Sequence, residues 1–240
     1  MAAAPAEAID LLERGDVEVL GLISYSSNYT FLAKVRNGGA EVLAIYKPRK
    51  GERPLWDFPE GTLAAHEVAS WKVSEAAEWN IVPPTVLGSD GPLGPGSLQL
   101  FVDHDPERHY FVVLDEHPEE LAVFAIFDAV VNNADRKAGH VLEDREGRLW
   151  AVDHGVTFHV EPKLRTVIWA FAEERLTPHL RAGLERLGSG LSDDGGVGTE
   201  LGGLLARKEV EATLGRVEAL LLEDRFLAPG SDRPLPWPLI

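Results

Sequence analysis

The sequence predicts an α+β chain in two lobes around a shared cleft: an antiparallel sheet with one helix, then a mainly helical half. Three observations carry this. The 240 residues are enough for two small lobes. Strand-like runs separated by turn residues crowd the first fifty positions, with a helical pattern close behind. Beyond Asp103 the chain turns polar through His104 to Arg108, and mostly helical patterns follow. The boundary is placed near residue 103, giving lobes 1–103 and 104–240.

Residues 6–14 carry Ile9, Leu11 and Leu12 at helical spacing, with Gly15 as the stop. Strands follow at 17–23, 30–35 and 41–47, the last two joined by the Asn37-Gly38-Gly39 turn. The polar turn Ser24 to Tyr29 leaves backbone N–H groups and hydroxyls of Ser26, Ser27 and Asn28 free to lie over phosphates; an ordinary hairpin is the rival reading. Lys47 ends an apolar strand, which directs its ammonium into the cleft. Residues 62–79 have helical apolar spacing, with Thr62 as cap and Glu67 one turn in, where it can pair with Lys47. Prolines 83 and 84 end that helix. A strand at 97–102 brings main-chain groups of Leu100, Phe101 and Val102 to the hinge, where they can meet an adenine edge.

In the second half, 119–133 is a strongly apolar helix running into Asn133-Ala134-Asp135-Arg136-Lys137. Asp128 within it has no evident partner in the sequence. A hairpin from His140 to Asp153 crosses Arg145-Glu146-Gly147, and Asp153-His154-Gly155 forms a turn. Lys163, Arg165 and Trp169 offer a basic and aromatic lip. Helices are expected at 176–187 and 199–222, joined by a flexible Gly/Ser/Asp-rich connection, and the proline-rich tail is expected to pack through Trp237.

The chain has no cysteine, which excludes disulfides and thiolate chemistry. Its net charge of −16 argues against nucleic acid and anionic membranes as partners. Lys47 to Arg53 is a local basic stretch in which Arg49 and Lys50 are read as solvated loop cations. Residues 1–8 lack a basic n-region, and no run is long enough to span a bilayer, so a cytoplasmic protein without stable membrane insertion is expected.

Phosphoryl transfer from a nucleotide needs a carboxylate near the acceptor hydroxyl, a metal ligand about five residues on, and an acidic residue on a following turn. Asp135, His140 and Asp153 have that order and spacing. The quoted pieces, together with Ile45-Tyr46-Lys47-Pro48, His66-Glu67-Val68-Ala69-Ser70, Val82-Pro83-Pro84-Thr85 and Gly96 to Val102, resemble the phosphatidylinositol 3-/4-kinase superfamily. They are most similar to type II phosphatidylinositol 4-kinase-like sequences and small actinobacterial relatives. The resemblance covers about residues 20–160 and implies a bilobal protein-kinase-like fold with ATP and Mg²⁺ (or Mn²⁺) in the cleft. It implies that Lys47 binds phosphates, Glu67 orients it, Asp135 serves the acceptor hydroxyl and Asp153 holds the metal. Lys137 falls where protein kinases carry a lysine facing the γ-phosphate.

His140 departs from the family, whose pattern has an asparagine there. Imidazole suits Mn²⁺ or Zn²⁺ better than Mg²⁺. Either the second metal position is altered, or His140 donates a hydrogen bond to phosphate. The expected function is a phosphotransferase acting on a hydroxyl of a protein or small molecule, inositol lipid being subsidiary. A pseudokinase is the alternative. A third reading gathers Asp135, His140, Asp153, His154 and His159 into a hydrolytic metal cluster.

Overall fold

In a computed structural model of the chain, residues 5–23, 29–88, 91–193, 195–230 and 233–240 are described. Ser26, Ser27 and Asn28 lie outside the described residues. The first lobe is a five-stranded antiparallel sheet: β1 (Asp16–Leu22), β2 (Phe31–Asn37), β3 (Ala40–Pro48), β4 (Thr85–Gly88) and β5 (Gly96–Leu100). Its strand order is β1-β2-β3-β5-β4. Helix α1 (Pro5–Arg14) covers one face, where Leu12 packs with Ala33, Val35, Ala44, Tyr46 and Leu98. Side chains alternate along β3, so Ala44 and Tyr46 enter this core while Ile45 and Lys47 face the opposite side.

Helix α2 (Leu63–Ala76) starts at the predicted place but not with the predicted cap. The Thr62 hydroxyl donates to the Pro59 carbonyl instead. The Glu52 carboxylate accepts the Gly61 and Ala64 N–H groups at 2.9 and 3.2 Å, the second being a donor a cap would serve. Ala69, Trp71 and Val73 of α2 belong to the larger core, formed mainly with the helical half.

That half contains α3 (Tyr110–Val113), the buried α4 (Pro118–Val131), the hairpin β6 (Val141–Glu143) and β7 (Leu149–Ala151), α5 (Pro178–Ser192), α6 (Val197–Gly202) and α7 (Arg207–Glu223). The expected flexible connection after residue 187 is largely structure: α5 continues to Ser192, and the predicted last helix is broken into α6 and α7. Here glycine permits close crossing. A Cβ on Gly196 or Gly198 would lie 2.5 Å from the carbonyl oxygens of Gly190 and Leu191 respectively. The tail packs differently too. Trp237 is 87 % exposed, whereas Pro236 is buried and Leu239 packs on the larger core. Among the described residues, no helix is long and apolar enough to cross a membrane.

Candidate active site

The end of β3 brings Lys47 into contact with two carboxylates. Its Nζ bonds Glu67 Oε1 and lies 2.7 Å from Asp153 Oδ1. Burial works against the ammonium, but Asp153 and Glu67 outweigh it and hold Lys47 above the usual lysine range. Burial equally opposes ionisation of Asp153, and Lys47 overrides it, so its carboxyl sits well below the usual range. Glu67, nearly fully buried, also accepts the His154 N–H at 3.0 Å through Oε2. Next to it, the His66 ring meets the Gly155 carbonyl at 3.1 Å. The turn bearing Asp153 is thus fastened to α2, and Asp153 itself adopts φ 62°, an uncommon conformation for a residue with a side chain.

The loop after α4 is fixed from beneath. Asp128 receives the Arg136 guanidinium through Nε and a terminal nitrogen at 2.9–3.1 Å, and also Asn133 Nδ2 and the Thr166 hydroxyl, each at 3.0 Å. Its partners are therefore side chains of the loop and of the segment behind it. Arg136 and Asp128 are both fully buried. Arg136 also donates to the Val152 and His140 carbonyls and meets His154 Nε2 at 2.7 Å. Asn133 Oδ1 accepts the Asp135 N–H, and Lys137 Nζ lies 3.0 Å from Asp135 Oδ2. Burial raises the Asp135 pKa, and the Lys137 hydrogen bond partly counters it.

His140 stands 3.3 Å from Asp153 Oδ2 through Nε2, while its Nδ1 accepts the Lys137 N–H at 3.4 Å. Burial lowers its pKa to about 4, so the ring is neutral at pH 7. A neutral ring that accepts at Nδ1 carries its proton on Nε2. In this geometry the protonated Nε2 of His140 lies beside the Asp153 carboxylate.

Three cavities adjoin one another across the cleft. One of about 450 Å³ has apolar walls at Ile45, Leu142 and Val152, with Val102 and His104 and also Lys47, His140 and Asp153 in its lining. A second, of about 210 Å³, shares Lys47 and Asp153 with it and adds Glu67, Asp135 and Arg53. A third, of about 350 Å³, shares Glu52, Arg53, Leu55 and Leu63 with the second and is flanked by Arg49 and Lys50. Of the three hinge residues expected to offer amides, Leu100 and Phe101 spend theirs on the Pro84 and Leu43 carbonyls. The Val102 N–H has no acceptor among the described residues, and its carbonyl meets His104 Nδ1 at 2.9 Å.

The donor set fits a magnesium ion that takes one protein carboxylate, Asp153, where the first two cavities meet, and completes its shell with phosphate and water. It does not fit an all-protein hydrolytic cluster. His154 is turned onto buried Arg136, and the His159 ring packs on Phe58 at 5.4 Å. Among the described residues, the one three-donor grouping is Glu116, His117 and Glu143, where Arg108 already pairs with both carboxylates.

The predicted lip is also rearranged. Lys163 is drawn to Asp57 at 2.8 Å and lies 4.9 Å from the Trp56 ring centre; Trp169 donates to the Pro234 carbonyl. The exposed aromatic side chain is Trp56, 91 % accessible. Sequence reasoning missed the whole 52–61 loop, which Phe58 anchors against Leu63, Val156 and Ala134, the residue before Asp135. It also missed the tail's contact with the catalytic loop, where the Leu239 carbonyl takes the Ala138 N–H at 2.7 Å. A proline-flanked Leu-Trp-Asp-Phe run was the available signal for the loop; nothing local announced the tail contact.

Comparison with known proteins agrees with this architecture. The profile of the family described as phosphatidylinositol 3- and 4-kinase matches residues 87–187. The chain is 37 % identical over 263 aligned positions to Protein Rv2133c of Mycobacterium tuberculosis, covering 95 % of this chain and 94 % of that one. Its fold is similar to a Golgi casein kinase solved with Mn/ADP bound (TM-score 0.57, 13 % identity, 91 % of this chain and 74 % of that one). It is likewise similar to a hydra Fam20 solved with sugar (TM-score 0.55, 13 % identity, 91 % and 87 %). At that identity the two structures speak for the fold, a bilobal kinase-like one. The profile match and the relative matched over nearly its whole length place the chain in the phosphatidylinositol 3-/4-kinase-like superfamily.

Proposed function

We propose that this protein transfers the γ-phosphate of ATP to a hydroxyl of a soluble acceptor. The observation that carries the reading is Lys47, held between Glu67 and Asp153 where two cavities meet, with Asp135 in the wall of one of them. Adenine takes the apolar cavity, where the unspent Val102 N–H donates to a ring nitrogen. Lys47 leaves Asp153 for the α/β-phosphates while Glu67 keeps it oriented. Asp153 is the residue that would hold the divalent cation, which when bound supplies charge neutralisation of the phosphates. Asp135 accepts the acceptor's hydroxyl proton as its oxygen bonds the γ-phosphorus and the bond to the β,γ-bridging oxygen breaks, releasing ADP. Lys137 offsets charge developing on the transferring group. His140, whose Nε2 lies 3.3 Å from Asp153, helps to position that carboxylate.

The pseudokinase is the second reading, favoured by the same His140, which stands where a metal ligand is usual. Transfer from γ-labelled ATP in Mg²⁺ and in Mn²⁺ separates the two. Transfer lost in both Asp135→Ala and Asp153→Ala supports the phosphotransferase. ATP binding without any label transfer supports the pseudokinase.

A further inference from the structure

The third cavity has a feature the phosphotransfer reading does not use. In a chain of net charge −16, the side chains of Arg49 and Lys50 on its wall make no ion pair or hydrogen bond among the described residues. Two carboxylates, Glu52 and Glu60, share the lining with the three cations Arg49, Lys50 and Arg53, which leaves it one positive charge. Neither pairs with Arg49 or Lys50: Glu52 accepts the Gly61 and Ala64 N–H groups, and Glu60 is exposed to solvent. Arg49 lies across Gly61, its Cδ 4.0 Å from where a Cβ would stand, and so along the cavity rather than away from it. Arg53 lines both this cavity and the one that holds Asp135.

The order of the cavities assigns them. Hinge residues line the first, and Lys47 and Asp153 its junction with the second; the second holds Asp135, and the third continues past Arg53. A nucleotide running from Val102 to Lys47 fills the first and enters the second, so the third is left for the acceptor. We propose that this cavity binds the anionic group of a small hydroxylated acceptor, a phosphate or carboxylate, so that its free hydroxyl faces Asp135. The inference rests on the phosphotransfer reading for the word acceptor, but the anion site stands on the cations themselves. Size and charge together favour a small molecule. About 350 Å³ suits a compact ligand, and a lining left with one positive charge attracts one anionic group while the acidic surface around it repels an extended polyanion.

The test uses the full chain saturated with ADP and Mg²⁺, which occupies the nucleotide position. Inorganic phosphate is titrated in while amide chemical shifts are followed. Saturable shifts centred on residues 49–63, lost in Arg49→Gln/Lys50→Gln while ADP binding and melting temperature persist, support the site. Absent shifts, or equal shifts in the variant, overturn it, and so does a variant defect in ADP affinity alone, which would give these cations to the nucleotide. The second arm compares label transfer to glycerol 3-phosphate and glycerol, to phosphatidylinositol vesicles, and to a serine peptide rich in glutamate. At least tenfold preference for the phosphate-bearing small molecule, abolished by the double variant, supports the acceptor class. Preference for vesicles moves the same headgroup chemistry to a lipid source and overturns the soluble one, and preference for the peptide overturns the small-molecule class. Phosphate bound at residues 49–63 with no transfer to anything leaves the anion site standing and removes the phosphotransfer reading instead.

Discussion

The buried pair beneath the catalytic loop makes the sharpest test of how this site is held. Asp128 is the counter-charge for Arg136, and both side chains are fully excluded from solvent. Asp128→Ala leaves a guanidinium in the interior with no carboxylate and also strips Asn133 Nδ2 and the Thr166 hydroxyl of their acceptor. Removing one partner of a buried pair costs about 3–5 kcal/mol, because the remaining charge stays desolvated. For a chain of this size that is a fall in melting temperature of roughly 6–20 °C. Asp128→Asn keeps the shape and can still accept from Thr166, so it should lose less. Asp128→Ala combined with Arg136→Met removes the stranded charge and should recover part of the loss, although the Val152 and His140 carbonyls then lose their donor. Urea denaturation of the four proteins, with the slope checked for constancy, measures all of this. A loss under about 1 kcal/mol in Asp128→Ala, or a double variant less stable than it, would refute the claim that charge compensation rather than packing holds the loop.

Lys47→Met should reduce transfer by about a hundredfold or more, the cost of a misplaced phosphate clamp. It should also tighten binding of Mn²⁺ in the absence of nucleotide, since Asp153 is no longer neutralised by the ammonium at 2.7 Å; calorimetry showing weaker metal binding would contradict this. A base with a raised pKa is lost as pH falls through that raised value, so the acid limb of kcat should lie above the ordinary aspartate range for Asp135. Lys137→Met removes the hydrogen bond that counters burial and should move the limb further up; a downward shift in the pH profile would disprove the assignment. Deleting residues 234–240 removes the carbonyls that take the Ala138, Thr166 and Trp169 N–H groups. Hydrogen exchange at Ala138 and Thr166 should accelerate and kcat fall with little change in KM for ATP. Unchanged protection at Ala138 would show that the tail does not brace the loop.

Local pattern made much of this fold legible. Alternation along β3 puts Ile45 and Lys47 on the face opposite Ala44 and Tyr46, and the unbroken apolar run of α4 announces a helix buried on all sides. The Asn37-Gly38-Gly39 turn was equally clear, since Gly38 and Gly39 take φ of 55° and 92°. The failures share one physical cause: each concerned a partner distant in the chain. Thr62 looked like a cap because it precedes a helical run, but Glu52, ten residues earlier, reaches the Ala64 N–H across a folded loop. Composition made the glycines after residue 187 look like a linker. Their lack of a side chain instead lets α5 and α6 touch backbone to backbone. Trp237 was chosen by size, yet burial in the tail goes to Pro236 and Leu239 because the Leu239 carbonyl is bound to Ala138.

The same contrast explains why the ends of the cleft differ in legibility. At the nucleotide end the chemistry resides in residues whose spacing is set by single elements: Lys47 at a strand end, Glu67 one turn into a helix, Asp153 after a hairpin. Each can be read from its own segment, and the fold only has to bring the three together. At the end proposed for the acceptor the wall is a loop tied by Asp57 to Lys163 and by Phe58 to Ala134. Arg49 and Lys50 look like solvated cations in sequence because their neighbours in the chain are polar. Their significance appears only when Glu52 is seen to be spent on α2 and the cavity beside them is seen to open towards Asp135 through Arg53. A surface that is acidic overall can then hold a compact recess beside the cavity of Asp135 in which three cations face two carboxylates, because the local field follows the charges that line a cavity rather than the net charge of the chain.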